Sequence, residues 1–176
     1  MAPPDAATRL LAFVNTRVRG DDGAWTLDTP ALAGWLGDRC EPVTDADAAT
    51  AGELRAALVA LLLAHAGHDD PAALAAAEEH LRRCGRSYPL TAVVTVGGVE
   101  LVPAQDGVAG RFGGLLAAVD DLVRRDAWTR VKACRNPPCG LGFYDRTRNL
   151  SARYCDPRTC GARVAARAYR DRRSTG

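Results

Sequence analysis

The sequence predicts a mainly α-helical protein of the α+β class, with one small β-hairpin and a small cysteine-rich module at its C-terminal end. Three observations support this prediction. Apolar residues recur at helical spacing through most of the first 125 residues, and they alternate in strand fashion around a Gly-Gly pair. Four of the six cysteines fall between residues 134 and 160. A chain of 176 residues is long enough for one good core with such a module attached.

Two helices are predicted near the start of the chain. Asp5 is expected to cap the first, which carries Leu10, Leu11, Phe13 and Val14 on an apolar face. Thr29 followed by Pro30 is typical of an N-cap and a first helical position, and it predicts a short second helix. Both helices are expected to turn their apolar side inward.

Two longer helices follow. Thr44, with Asp47 three residues later, resembles a capping box, and the leucine-rich stretch behind it is expected to end at a Gly67 C-cap. Asp70 and the proline after it predict a fourth helix that ends near Gly85. The first part of the chain is therefore expected to be mostly helical.

The apolar period changes to two in the segment 92–102, which predicts a hairpin around a two-residue Gly97-Gly98 turn. In the register set by that turn, four apolar residues make one face of the hairpin: Val96 opposite Val99, and Val94 opposite Leu101. A further amphipathic helix is expected from about residue 108 to 125.

The composition changes after this helix, and we predict two domains there, 1–125 and 126–176. The net charge of +2 is the sum of −8 through residue 123 and +10 beyond it. A strongly basic end on an acidic body favours a polyanionic partner. Because 22 of the 23 basic residues are arginine, arginine content alone reflects a compositional bias, and only the clustering carries the inference.

The spacing of the last four cysteines predicts a zinc site. They form two pairs with four residues inside each pair and fifteen between the pairs: Cys134, Cys139, Cys155 and Cys160. Two close pairs can supply the four corners of a tetrahedron around Zn²⁺. Two glycines are expected to aim backbone amides at the sulfurs, and two arginines to offset their charge: Gly140, Gly161, Arg135 and Arg158. Four cysteines close the site, so a structural rather than a catalytic zinc is expected.

A basic helix is predicted directly after Cys160. Its arginines fall on one side at about 100° per residue. Ala165 and Tyr169 lie roughly opposite, with Val164 and Ala168 on the flank, and these residues are expected to pack on the zinc module. A short arginine-bearing helix fixed at its start suits a DNA groove. Seven arginines on this helix and on the loop between the cysteine pairs are therefore candidate DNA contacts: Arg163, Arg167, Arg170, Arg173, Arg146, Arg148 and Arg153.

These motifs resemble the CGNR zinc-finger family. The resemblance covers about Arg130 to Arg173 through RVKACRNPPCGLGFYDRTRN, RYC and CGARVAARAYRDRR, and FVNT, WL and LRAAL extend it loosely toward the N-terminus. Family members carry an N-terminal ABATE domain and are described as stress-induced transcription regulators, so the resemblance implies zinc binding and DNA-linked regulation. Ala162 stands where the family has asparagine, and Tyr154 stands where it usually has tryptophan.

Together these observations predict a zinc-dependent DNA-binding transcription regulator that is not an enzyme. The helical body is expected to sense an effector or to form a homodimer, and the basic helix to contact double-stranded DNA. Two alternatives remain open, namely a zinc-stabilised adaptor for another protein and a thiol redox switch. No apolar run reaches the roughly 18 residues of a membrane span and no secretory leader is visible, so a cytoplasmic location without a membrane partner is expected.

The remaining chemically interesting residues are assigned structural roles. His65 and His68 are expected to be surface residues near a helix end rather than metal ligands. Cys40 and Cys84 are expected to pack as small apolar side chains. Asn15 and Thr16, in FVNT, are expected to fix a helix end.

Overall fold

The protein was analysed as a computed structural model that describes residues 2–19, 25–37 and 42–174. Within these ranges it has six α-helices and three two-stranded antiparallel sheets, so the predicted α+β class is confirmed. The helices are α1 Asp5–Val14, α2 Thr29–Leu36, α3 Asp45–His65, α4 Pro71–Ser87, α5 Gly107–Arg124 and α6 Ala162–Ser174. The strands pair in order as β1 Val18–Arg19 with β2 Trp25–Thr26, β3 Leu90–Thr95 with β4 Gly98–Pro103, and β5 Val131–Ala133 with β6 Gly142–Tyr144.

One apolar core gathers the inner faces of α1, α2, α3 and α5. Phe13 of α1 lies at its centre, with its ring centroid 4.9 Å from that of Trp35 and 6.3 Å from that of Phe112. Tyr88 closes the cluster at 5.3 Å from Phe112. Cys84 is buried in the same core, as predicted, while Cys40 lies outside the described residues.

Two helix starts are as predicted and two are not. Thr44 and Asp47 form a complete capping box, and Asp70 accepts a hydrogen bond from Ala73 N at 3.0 Å. The expected cap at Asp5 is wrong, because Asp5 is already the first helical residue and Pro4 precedes it. The expected cap at Thr29 is also wrong.

Asp28 caps α2 instead, since its carboxylate accepts a hydrogen bond from Ala31 N at 2.9 Å. Thr29 is the next residue, and its hydroxyl donates to the Asp45 carboxylate at 2.6 Å. The hydroxyl therefore joins the starts of α2 and α3 rather than capping its own helix.

The hairpin turn lies one residue earlier than predicted. Thr95 pairs with Gly98 and Val94 with Val99, so the turn residues are Val96 and Gly97. The Thr95 hydroxyl accepts from Gly97 N at 3.2 Å and donates to Gly98 O at 3.3 Å, while Gly98 takes a positive φ of 129°. These local bonds override the Gly-Gly preference, and Val94 and Val96 are left exposed.

The core continues across the composition change at residue 125. Ala127, Val131 and Ala133 belong to the same buried cluster as the helices, and β5 lies along α3. The His65 ring, expected at the surface, instead lies partly buried with its centroid 4.8 Å from that of Trp128. The start of the C-terminal segment is thus built into the helical body.

Among the described helices, α3 meets the length and composition of a membrane span, with 21 residues and a mean hydropathy of 1.3 in its most apolar window. Leu54, Leu58 and Leu62 of this helix lie inside the core. Core helices of globular proteins pass the same test, so the composition of α3 is explained by its central position.

Candidate metal centre

The four predicted ligands come together in space. Their Sγ atoms all lie within 4.8 Å of one another. The distance from Cys139 Sγ to Cys155 Sγ is 3.7 Å, and that from Cys155 Sγ to Cys160 Sγ is 3.8 Å. A tetrahedral site with Zn–S bonds of about 2.3 Å has edges of about 3.8 Å, so this cluster matches a four-cysteine zinc site in donor type and size.

The first cysteine pair is held by the β5–β6 hairpin. Cys134 directly follows β5, and its amide donates to Leu141 O at 2.9 Å. The Cys139 amide donates to Asn136 O at 2.8 Å, which closes a tight turn between the two ligands. Gly140 then takes a positive φ of 55° and returns the chain toward β6.

The second pair is held by a short wide turn that leads into α6. The turn covers Pro157–Gly161, and Asp156 precedes it. The Asp156 carboxylate accepts from Arg158 N at 2.7 Å, and its carbonyl accepts from Cys160 N at 2.9 Å. The last ligand is therefore continuous with the start of α6, so the position of the metal fixes where that helix begins.

The thiols sit where only a cation would stabilise several thiolates together. Burial, followed by the neighbouring cysteines, raises the pKa of the Cys155 thiol far above its usual value. Burial also raises the pKa of Cys134. A divalent cation reverses this preference because it attracts all four sulfurs at once, and thiolate donors are those that Zn²⁺ takes in structural sites.

Asn136 is a buried residue of this site that the sequence did not single out. Its side-chain Nδ2 donates to Cys160 Sγ at 3.4 Å, which is the main cause that lowers the pKa of that thiol. Its Oδ1 accepts from Arg167 Nη2 at 2.5 Å. Asn136 thus orients one sulfur and ties α6 to the first cysteine pair. The sequence RNPP is typical of an ordinary turn. The one signal that could have indicated a role for Asn136 is its position two residues after Cys134.

The two glycines expected to aim amides at the sulfurs act differently from the prediction, while the charge-offsetting role of Arg135 and Arg158 stays a prediction. Gly140 N donates to Asn136 O at 3.3 Å and Gly161 N to Asp156 O at 3.2 Å, so both amides serve the turns. The amides that lower the pKa of Cys134 by hydrogen bonding belong to Cys155 and Asn136. Of the two arginines, Arg158 is exposed, and the partly buried Arg135 has its guanidinium beside Gly67.

The segment after α1 binds the back of the first cysteine turn. Asn15 makes a two-bond clamp on Gly142, donating to its carbonyl at 3.1 Å and accepting from its amide at 2.8 Å. Arg17 donates to Cys139 O, and Trp25 Nε1 donates to Pro138 O at 3.2 Å. The Asn15 side chain therefore reaches across to the metal centre instead of bonding its own helix end. The Thr16 hydroxyl does bond the helix end as predicted, donating to Ala12 O at 2.8 Å.

A buried ion pair organises the loop between the cysteine pairs. Lys132 Nζ lies 2.7 Å from Asp145 Oδ2 and also donates to Leu150 O and Ala152 O. Burial alone would raise the pKa of Asp145, but hydrogen bonds from Lys132, Thr147 and Ala152 lower it to about 2. Asp145 of the FYD motif is therefore a structural anchor.

Helix α6 turns a different side to the protein than predicted. Val164 is partly buried as expected, and so is Arg167, while Ala165, Ala168 and Tyr169, also expected to pack inward, are exposed. The bond from Arg167 to Asn136 sets this rotation. Every described residue from Ala168 onward is exposed, so the second half of α6 projects from the protein. The other six candidate arginines are exposed: Arg146, Arg148, Arg153, Arg163, Arg170 and Arg173.

Comparison with known families agrees with this geometry. Residues 130–173 match the model of the CGNR zinc finger. The match contains all four clustered cysteines and most of α6, so the predicted zinc cofactor is confirmed at the level of donor set and family. No curated protein matches the chain. The ABATE resemblance of the N-terminal part stays a prediction.

Proposed function

We propose that the protein is a non-enzymatic transcription regulator of the cytoplasm that binds double-stranded DNA through its zinc finger. The observation that supports the proposal is α6, which begins two residues after the ligand Cys160 and then projects with basic side chains on its surface. A helix with no packing partner along half its length, on a module of net positive charge, is suited to a groove lined by phosphates.

Two kinds of arginine support the proposal in different ways. Arg167 donates a hydrogen bond to Asn136, and this bond sets the angle at which α6 leaves the finger. Arg163 and Arg170 make no ion pair or side-chain hydrogen bond with any residue that the structure describes. Their guanidinium groups are therefore free to contact phosphates or guanine edges.

The exposed arginines of the loop add further positive charge to the zinc finger. Arg146 and Arg148 follow the anchored Asp145, so the buried ion pair holds their backbone in place. Arg153 lies near the other end of this loop, and its carbonyl accepts from Arg135 N at 3.0 Å. We assign these three side chains to phosphate contacts beside the helix.

A second copy of the chain belongs to the proposal. One short helix contacts only a few base pairs, and DNA-binding proteins of this kind usually gain specificity by binding two half-sites as a dimer. The helical body, which carries the acidic charge of the chain, is the part assigned to dimerisation or to sensing an effector.

Duplex binding by the zinc-loaded protein tests the proposal. Fragments selected from genomic DNA supply the duplex, and fluorescence anisotropy measures affinity at several salt concentrations. Arg163→Gln and Arg170→Gln are each expected to weaken binding by about tenfold and to reduce the salt slope by about 1. Arg86→Gln, which removes an exposed arginine from α4, is the matched control and should change neither quantity.

Equal affinities for Arg170→Gln, Arg163→Gln and wild type would overturn the role of α6. Selection of the same fragments by zinc-stripped protein would overturn the role of the finger. Absence of duplex binding at low salt, together with one co-purifying acidic protein, would favour the adaptor function instead.

A thiol redox switch is the second candidate. Cys139 and Cys155 are only partly buried, and their sulfurs lie 3.7 Å apart. Oxidation of the two thiolates by a peroxide would form one disulfide, reduce the peroxide and release the metal. Retention of all zinc under mild peroxide would exclude this function.

A further inference from the structure

A cavity of about 510 Å³ lies on the helical body, away from the cysteines. It is bounded by α1, α2, β4 and α5, and ligand pockets in proteins typically measure about 300–1,000 Å³. One wall is the partly buried ring of Trp35, which packs against Phe13 on its other side. Leu101 and Pro103 of β4 form a second apolar wall.

Two glycines of α5, Gly110 and Gly114, line the cavity, and only one of them could carry a side chain without a clash. A Cβ built on Gly114 would lie 3.8 Å from Pro103 Cγ, an ordinary contact, so packing does not demand glycine there. Gly113 differs, because its Cβ would lie 3.3 Å from Pro103 Cβ. A Cβ built on Gly110 would lie only 2.1 Å from Gln105 O, so a side chain there would clash with the backbone. Gly114 is therefore the position where a larger residue would fill the space.

The charges at the mouth of the cavity favour an anion. Arg9 of α1 and Arg111 of α5 both line it, and neither makes an ion pair or hydrogen bond with any residue that the structure describes. Glu100 is the single acid among the lining residues, so one positive charge remains.

The arginines farther along α5 are in a different situation. Arg124 is paired with Asp120, and Arg125 with Asp121 at 2.8 Å. The unpaired arginines of α1 and α5 are thus specific to the cavity rather than typical of this surface.

We propose that this cavity binds a small organic carboxylate with a flat, ring-sized apolar body. The carboxylate lies between Arg9 and Arg111, where a guanidinium can donate two parallel hydrogen bonds. The apolar body lies against Trp35 and above Gly114. The inference goes beyond DNA binding and does not rely on it, since the site is separate from the finger and can be tested without DNA.

The test uses 1-naphthylacetate as the probe and its neutral amide, 1-naphthylacetamide, as the matched control. The zinc-loaded full chain is followed in ¹H–¹⁵N spectra, in which its three tryptophans give three indole signals. A Trp35→Phe variant assigns the relevant signal. Titration with the carboxylate is expected to shift the Trp35 signal in a saturable way with a Kd at or below about 1 mM, while the Trp128 signal stays in place. The amide is expected to bind about tenfold more weakly, because it lacks the charge.

Three variants locate the site. Gly114→Leu should abolish binding by filling the cavity, while Gly85→Leu, at an exposed α4 position with no atom within 4 Å of a Cβ, should bind as wild type does. Arg111→Gln changes only an exposed side chain and should weaken carboxylate binding by about fivefold or more without affecting the fold.

Any one of three results would overturn the proposal. These are no saturable Trp35 shift for the wild type at about 5 mM carboxylate, equal affinity for the carboxylate and the amide, or wild-type affinity in Arg111→Gln. If Gly114→Leu does not fold, the Arg111→Gln comparison still decides.

Discussion

At the scale of single residues, Asn136 shows how much of a metal site lies outside its ligands. The side chain contacts Cys160 Sγ and Arg167 at once, and it is 2% exposed. Removing a group that orients a ligand typically costs 10- to 100-fold in metal affinity.

Asn136→Ala is therefore expected to weaken zinc binding by about 10- to 100-fold. Competition against a chromophoric chelator measures the change. Asn149→Ala, at an exposed position of the same module, is the control and should retain wild-type affinity. Equal affinities for the two variants would show that the Asn136 amide does not act on the sulfur.

The Lys132–Asp145 pair leads to a prediction about stability. Asp145→Asn would leave Lys132 buried without a counter-charge, which is expected to lower the free energy of unfolding by about 3 kcal/mol. Urea unfolding of the zinc-loaded protein measures this, with the exposed Asp69→Asn as control. A loss no larger than that of the control would contradict the structural role of the ion pair.

The sequence was sufficient to predict the four metal ligands, but it did not show which residues orient them. Cysteine spacing is local, so the four ligands could be predicted. Asn136 could not, because its two partners lie 24 and 31 residues later in the chain. His65 was placed at the surface because its acceptor, Val131 O at 2.9 Å, lies 66 residues away.

At the scale of elements, α6 is the least supported helix. It has 13 residues, none of them buried, and isolated helices shorter than about 12–15 residues are marginal in water. Its support comes from the turn at Cys160 and from the Arg167 bond at the end of its first half.

Hydrogen exchange is expected to show this directly. Amides from Tyr169 onward should exchange quickly even with zinc bound, and chelation of zinc should extend fast exchange to the whole of α6. Helix α3, whose inner face lies in the core, serves as the internal reference and should stay protected. Slow exchange along all of α6 in the free, zinc-loaded protein would show that something other than zinc orders it.

Element boundaries were predictable where a side chain acts on its own neighbours, as at Thr44. They were missed where a competing local bond decided the outcome, as when the Thr95 hydroxyl moved the hairpin turn. The rotation of α6 was missed for a different reason. Helical periodicity shows which residues share a face, but it cannot show which face meets a neighbour such as Asn136.

At the scale of the whole molecule, His65 lies where α3 meets the start of the zinc finger. Burial, aided by the charge of Lys132, lowers the pKa of His65, while its bond to Val131 O opposes that shift. The folded protein therefore binds a proton here less readily than the unfolded chain does. The stability that depends on neutral His65 is complete above pH of about 6.5 and is lost as pH falls below it.

Urea midpoints at pH 7.5 and at pH 5.5 test this for the wild type and for His65→Asn. The asparagine amide can replace the Nδ1 donor but does not titrate in this range. The urea midpoint of the wild type is expected to exceed that of the variant by less at pH 5.5 than at pH 7.5. A difference in midpoint that does not change with pH would contradict the role assigned to neutral His65. The comparison also removes the contribution of cysteine protonation, which both proteins share.

The joining of the two parts was beyond the reach of the sequence. Charge and composition change near residue 125, and they predict two domains. Val131 and Ala133 nevertheless lie in the core of the helical body, and Asn15 clamps Gly142 across 127 positions of chain. Charge and composition are set mainly by the solvent-facing residues, and these change near residue 125. The buried residues on either side of that point form one core, so a boundary drawn from charge does not separate two cores.

The shared core has a consequence for synthesis. The ribosome completes α1 to α5 first, and at that stage the surface of α3 that receives β5 and the Asn15 side chain that receives Gly142 have no partner. Apolar surface of the nascent helical body therefore stays uncovered until the segment with β5, β6 and the cysteines emerges and acquires its metal. We therefore expect that a shortage of zinc during translation lengthens the time for which each new molecule is open to aggregation or proteolysis.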